Sequence, residues 1–176
     1  MKKLVVMSLI LVVAFASLAS AEGFEKGKLY LGPTLGLAWS GFGFGVSGDY
    51  AVDKNWGVGG DIAYTSFSRS YGGGYGYSWK WKYTVIGVLA AASYHFKIEN
   101  NSKFDPYLKA GLGYYNWNTT YTDPFGGTTQ YGSAAYTSGI GFSGAAGAHY
   151  FFTPKMAGRV QVGSPFYFAV GLDFVI

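Results

Sequence analysis

The stretch Phe166-Tyr167-Phe168-Ala169-Val170-Gly171-Leu172-Asp173-Phe174-Val175-Ile176 decides the fold. In an extended chain successive side chains point to opposite faces. Phe166, Phe168, Val170, Leu172, Phe174 and Ile176 then share one face. Pro165, Tyr167, Ala169, Gly171, Asp173 and Val175 share the other. The first set is uniformly large and apolar. The second is small and mixed, and it carries the only charge. A soluble sheet reverses this, with large apolar residues inside and charged ones outside. An apolar outer face around a small, polar interior is the pattern of a transmembrane β-barrel.

The same split recurs upstream. Leu31, Leu35 and Leu37 oppose Tyr30, Gly32, Thr34 and Gly36. Phe42, Phe44, Val46 and Tyr50 oppose Gly43, Gly45, Ser47 and Asp49. Trp56, Val58, Ile62 and Tyr64 oppose Gly57, Gly59, Asp61 and Thr65. Ile86, Val88, Ala90 and Tyr94 oppose Gly87, Leu89, Ser93 and His95. Leu108, Leu112 and Tyr114 oppose Lys109, Gly111, Gly113 and Tyr115. Ile140, Phe142, Tyr150 and Phe152 oppose Gly141, Ser143, Gly147 and His149. Val160 and Val162 oppose Arg159, Gln161 and Gly163. The pattern predicts eight strands, near 29–39, 42–52, 56–67, 80–96, 106–117, 137–152, 157–163 and 166–176. An even number closes an antiparallel up-and-down meander. About 11 residues at about 3.3 Å each, tilted near 40°, cross an apolar band of about 25 Å. Trp39, Trp56, Trp81, Tyr94, Phe96, Tyr150 and Phe152 fall near strand ends, where they would form aromatic girdles.

Composition agrees. Charged residues make up 12%, aromatics 20%, and there are 28 glycines and no cysteine. Half the usual charged share and an aromatic excess exclude a disordered chain. The net charge of +4 falls to +2 without Lys2 and Lys3, too weak for a nucleic-acid partner. Residues 1–21 read as a secretory signal peptide: a Lys2-Lys3 start, an apolar run from Leu4 to Phe15 and Ala19-Ser20-Ala21 as cleavage site. Residues 22–176 are then one barrel domain.

The connections give the barrel a direction. Asp53-Lys54-Asn55, Lys97 to Asp105 and Thr153-Pro154-Lys155 read as short polar turns. Ser68 to Trp79 and Asn118 to Tyr136 read as long loops, while Ser40-Gly41 and Ser164-Pro165 are tight. Short periplasmic turns and long outside loops place both mature termini in the periplasm.

Pro106 to Tyr115, the Gly139 to Phe152 strand with Thr153-Pro154, and the alternating carboxy-terminal strand resemble the OmpA/OmpX-like family of small eight-stranded outer-membrane barrels. The resemblance covers the whole mature chain. It implies a Gram-negative outer-membrane location, contact with lipopolysaccharide, and reading of the last strand by the assembly machinery. The ending Phe174-Val175-Ile176 departs from the aromatic terminus usual there. With no peptidoglycan-binding domain in the sequence, a tethering role is not expected.

Two groups of residues are candidates for function. Asp49, Asp61, Lys109, Arg159 and Asp173 face inward, with His95, His149 and Gln161 at similar depth. Charges in a narrow lumen must be paired, so these predict a polar plug or, alternatively, a gate. Beyond it, Ala38, Ser40, Gly43, Gly45, Thr65, Phe67, Gly113, Tyr115, Trp117, Gly139, Gly141 and Gly163 predict either an apolar vestibule or a space filled by its own aromatics. The second group is a loop surface: Arg69, Tyr71, Tyr75, Tyr77, Trp79, Lys80, Trp81 and Lys82, joined by Tyr121, Phe125 and Tyr131. Aromatics give contact area at low entropic cost, and the cations suit lipopolysaccharide phosphates. The competing reading extends the fourth strand above the membrane through Tyr77 to Lys82.

Pro33 predicts a bulge or a weak seam beside the last strand. No metal-ligand spacing, phosphate loop or cofactor motif is present. A lipid A enzyme needs a Ser/His/acid set at the outer leaflet, and both histidines lie at the other end. The sequence therefore points first to a structural or surface-interaction barrel, binding a host-surface or other ligand. Second comes a small channel for hydrophobic molecules, and last a lipid A enzyme.

Overall fold

The computed structural model describes residues 23–38, 41–72, 78–132 and 138–176, with Gln130, Tyr131 and Gly132 described by backbone alone. The expected signal peptide 1–21, Trp39, Ser40, Tyr75, Tyr77 and the Tyr131 side chain lie outside the described residues. Nine strands follow in order: β1 Leu29–Ala38, β2 Gly41–Ala51, β3 Trp56–Gly72, β4 Ser78–His95, β5 Phe104–Thr122, β6 Thr128–Gly132, β7 Gly139–Thr153, β8 Met156–Gly163 and β9 Phe166–Val175. Every pairing is antiparallel, and β1 pairs with β9, so eight strands close into a barrel. The ninth, β6, only forms a hairpin on the far end of β5.

Following the register around the barrel fixes its geometry. From Leu35 one path runs through Phe44, Tyr64 and Ile86 to Asn116. The other runs through Val170, Val160 and Ala148 to Pro106. The two meet on β5 ten residues apart. A shear of this size in eight strands tilts them by about 40° and leaves a bore that side chains fill.

The two ends differ. At one, which carries both described termini, the turns are short and Trp56, Tyr94, Phe96, Tyr150 and Phe152 ring the barrel. Trp56 meets Tyr94 edge-on at 5.0 Å. We call this the terminal end. At the other, or tall, end, β3, β4 and β5 continue well past the apolar band. The segments expected as loops over 68–79 and 118–136 are largely strand: β3 reaches Gly72, β4 starts at Ser78, and β5 and β6 form a hairpin. The eight residue steps from Tyr64 to Gly72 lift this wall about 20 Å, at about 3.3 Å per residue and a 40° tilt.

Two local expectations change. The last strand does not alternate from its first residue. Phe166 is 1% exposed, while Tyr167 and Phe168 are 51% and 44% exposed. The register slips between Val162↔Phe168 and Gly163↔Phe166, so Tyr167 is an extra residue. Gly163 sits at φ +116°, a conformation that glycine tolerates. This β-bulge resets the parity and turns Phe166 into the lumen. Pro33, in contrast, causes no bulge. Register with β9 is the same on either side of Gly32-Pro33, and only the pairing at those two residues is missing.

Candidate functional site

Alternation aims the charges inward, and the register sets them side by side. Ser93 Oγ donates to Asp49 Oδ2 at 2.5 Å, and His95 Nε2 lies 3.4 Å from the same oxygen. His95 Nδ1 is 2.8 Å from Asp105 Oδ2, which also meets His149 Nδ1 at 3.0 Å. His149 Nε2 lies 3.1 Å from Asp173 Oδ2, and Arg159 Nε lies 3.0 Å from it as an ion pair. Arg159 Nη2 donates to Thr34 Oγ1 at 2.7 Å. This chain of contacts joins β1, β2, β4, β5, β7, β8 and β9. The separate pair Lys109–Asp61, at 2.8 Å, adds β3. Every strand of the barrel wall therefore contributes a side chain.

All of these groups are buried. Such pairs stand only when each charge is matched. Four aspartates face Lys109 and Arg159, which leaves a deficit of two positive charges. Each imidazole meets carboxylate oxygen on both ring nitrogens. With both rings doubly protonated the cluster is neutral. Rings stack beneath it: Phe24 on His95 at 3.5 Å between centroids, His95 parallel to His149 at 5.9 Å, and Tyr107 on His149 at 4.9 Å. Tyr107 also donates to Gln161 Oε1 at 2.8 Å. Gln161 thus belongs to a side branch rather than to the charged chain. A Cβ on Gly57 would meet Asp49 Oδ1 and Ser93 Oγ, so the cluster occupies the space that this glycine leaves.

Asp105 is the residue that sequence reasoning missed. Counted as part of a turn, it is in fact the bridge between the two histidines. The signal was its parity, shared with Tyr107 and Lys109. Two further arrangements also went unforeseen. His95, Asp105 and His149 offer ligand atoms within 4.8 Å of one another. Yet both Nδ1 atoms already contact Asp105 directly, and a cation would have to displace both contacts. Ser93, His95 and Asp105 have the spacing of a nucleophile–base–acid relay, with Ser93 Oγ 3.1 Å from His95 Nε2. Here Ser93 is 1% exposed and its hydroxyl is held by Asp49. A cavity of about 460 Å³ reaches His95 and Asp105 from the terminal end without touching Ser93.

The tall half is filled differently. Phe166 lies where Cβ atoms on Gly36 and Gly43 would be, and it packs with Ala63 and Ala169. Leu89 occupies the space beside Gly113. Much of the expected vestibule is therefore core. The remainder is a cavity of about 520 Å³ bounded by Ala38, Tyr115, Trp117, Gly139, Gly141 and Phe166 among others. Between the two ends, the void within the charged cluster measures about 10 Å³, roughly the room one water needs.

The candidate loop surface is split by strand parity. Arg69, Tyr71, Trp79, Trp81 and Tyr121 share the lumen-side parity of Asp61, Leu89 and Lys109, and Trp81 packs on Tyr121 at 4.9 Å. Trp81 therefore belongs to no outward girdle. Lys80 and Lys82 point the opposite way, beside Ser68, Ser70, Thr120 and Thr122. Phe125 is 85% exposed at the tip of the β5–β6 hairpin.

Known proteins place the architecture. Among curated proteins none matches the chain by sequence. Among solved structures, Ail of Yersinia pestis, in complex with the heparin analogue sucrose octasulfate, matches with a TM-score of 0.52 at 15% identity. The match covers 86% of this chain and 100% of Ail. The N-terminal β-barrel domain of Pseudomonas aeruginosa OprF matches with a TM-score of 0.52 at 15% identity, covering 86% and 98%. A de novo designed transmembrane β-barrel reaches 0.53 at 17% identity, again covering 86% and 98%. At these identities the likeness is one of fold. The family described as outer membrane protein beta-barrel domain matches residues 7–168. A closed, inverted eight-stranded barrel and a match over nearly the whole chain agree: this protein belongs to that family of bacterial outer-membrane β-barrels.

Proposed function

We propose that the chain is a non-enzymatic surface barrel, with its tall end outside the cell and both mature termini in the periplasm. It strengthens the membrane and binds a ligand through the projecting wall of β3, β4, β5 and β6. The observation that carries this reading is the wall's division into two faces. The outward face sets Lys80 and Lys82 among hydroxyls, where lipopolysaccharide phosphates and sugars lie. The lumen-side face sets Arg69 among Tyr71, Trp79, Trp81 and Tyr121. Flat aromatic faces stack on sugar rings, and a guanidinium pairs with a sulfate or carboxylate. An anionic glycan of a host surface has both features. A sulfated sugar on Ail, a barrel of the same fold, is in keeping with this chemistry.

The apolar outer face requires contact with membrane lipid. The alternating row of β9 is the segment that the assembly machinery would read. A role as a channel finds less support, because the void lined by the charged cluster measures about 10 Å³. A hydrolytic role is disfavoured by a serine that is both buried and hydrogen-bonded away.

The test is binding of a sulfated oligosaccharide to protein in lipopolysaccharide-containing vesicles. Arg69→Ala and Trp81→Ala should each weaken it about tenfold, the scale of one charge-assisted hydrogen bond. Lys80→Ala/Lys82→Ala should leave it intact and loosen retention of lipopolysaccharide. Undiminished glycan binding after removal of 68–82 and 118–136 would rule the wall out.

A further inference from the structure

Among the described residues the wall of the barrel is lower on one side. β8 has eight residues, against 10 to 19 in the other barrel strands. Its hairpin to β9 turns at Ser164-Pro165, where the Ser164 N–H donates to the Gly144 carbonyl at 2.9 Å. β7 continues past this point through Gly139–Ser143, paired with β5 on its other edge. Among the described residues no strand pairs with that segment on the β8 side. Among the described residues, the last partner of β1 on β9 is Phe168, paired with Leu37.

The cavity at this place touches residues of both faces of β7. It is bounded by Gly139 and Gly141, which face the lumen, and also by Ile140 and Gly144, which face outward on the same strand. The opening lies within the apolar band. Ile140 and Phe142 are 77% and 91% exposed. They continue the outward rows of Tyr114 with Val88 and of Leu112 with Ala90. Among the described residues no charged side chain lines the cavity, and Phe166 is part of its lining. Among the described residues a Cβ on Gly139 would meet nothing within 4 Å, and one on Gly141 only the Tyr115 ring, at 3.7 Å.

We propose that this gap is a lateral binding site for one hydrocarbon chain of a membrane lipid, entered from the bilayer between β7 and the β8–β9 hairpin. The chain lies against Tyr115, Trp117 and Phe166. The occupant follows from continuity, since the opening is part of the surface that already faces hydrocarbon. The free edge of β7 adds a polar side to the site. The Gly144 carbonyl is taken by Ser164 on the β8 side, so the peptide groups of Phe142 and Ile140, alternate along the strand, face that same side beyond the turn. In hydrocarbon such groups need partners. The ester, amide or hydroxyl groups at the head of an acyl chain supply them. The site does not depend on which end of the barrel is outside, nor on glycan binding.

Bromine on lipid chains quenches tryptophan on contact, which provides the test. Trp117 is kept as sole tryptophan (Trp39, Trp56, Trp79 and Trp81 replaced by Phe) in vesicles of phosphatidylcholine with brominated acyl chains. Its quenching should match that of a sole Trp56, which faces lipid. Gly141→Phe should at least halve the quenching of Trp117 and leave that of Trp56 unchanged. Quenching of Trp117 by aqueous iodide but not by brominated lipid would overturn the proposal, as would equal quenching with and without Gly141→Phe. If the multiple variant does not fold, a benzophenone amino acid at position 139 in the otherwise native chain gives the same decision. A crosslink with the mass of a phospholipid supports the site, and failure to capture lipid refutes it.

Discussion

The two halves of this barrel use the same eight strands and close the same bore by opposite means. The terminal half is sealed by aspartates, imidazoles and two cations held by hydrogen bonds and ion pairs. The tall half is filled by Phe166, Leu89 and Tyr115 packed into spaces left by glycine, and among the described residues no strand pairs with one flank of β7 there. The difference teaches where stability and tolerance reside. A buried ionic cluster is neutral only as a whole, so a change to one member leaves its partner charged in a low dielectric. An apolar packing loses contacts roughly in proportion to the volume removed.

The largest effect should come from splitting a pair. Lys109→Met strands Asp61 and is expected to cost about 3–5 kcal/mol. Asp61→Leu together with Lys109→Met should regain most of that loss. Urea unfolding in vesicles, followed by the heat-modifiable gel shift of barrels, measures both. A single variant as stable as the parent would mean that the pair is not buried. In the tall half, Phe166→Ala should cost about 3 kcal/mol, at the low end for a core aromatic, because an existing cavity adjoins the site. No loss there would contradict the bulge that turns Phe166 inward. Gly57→Ala pushes a methyl group against Asp49 and Ser93 and should cost about 1–3 kcal/mol. Gly139→Ala, which meets open space, should change stability by less than about 0.5 kcal/mol. Equal costs for these two glycines would erase the contrast between the halves. At the small end, a fluorophosphonate probe should leave Ser93 unlabelled, and labelling would revive the relay with His95 and Asp105 as a nucleophilic site.

The legibility of this fold varied with the local rule. Period-two alternation carried strand number, face and closure, because a side chain slipped by one residue would move from lipid to lumen. It failed at Phe166, where one extra residue reset the parity and no flanking pattern signalled it. It was available for Asp105 but was overridden by the polar run from Lys97, which read as turn. The Arg69 to Lys82 segment read as a loop because glycine and tyrosine are common in both loops and projecting hairpins. Only the register shows that Arg69 and the two lysines lie on opposite faces. The partners within the charged cluster could not be paired from sequence, since they come from strands up to 125 residues apart, as with Arg159 and Thr34.

The central claim is that the terminal half forms a seal made of matched charges. Single-protein conductance across a planar bilayer tests it most directly. The parent protein should hold the baseline, and Asp61→Ala/Arg159→Ala, which breaks the Lys109–Asp61 and Arg159–Asp173 pairs, should conduct in discrete steps. Equal conductance in the parent and the variant would show that the charges do not form the seal.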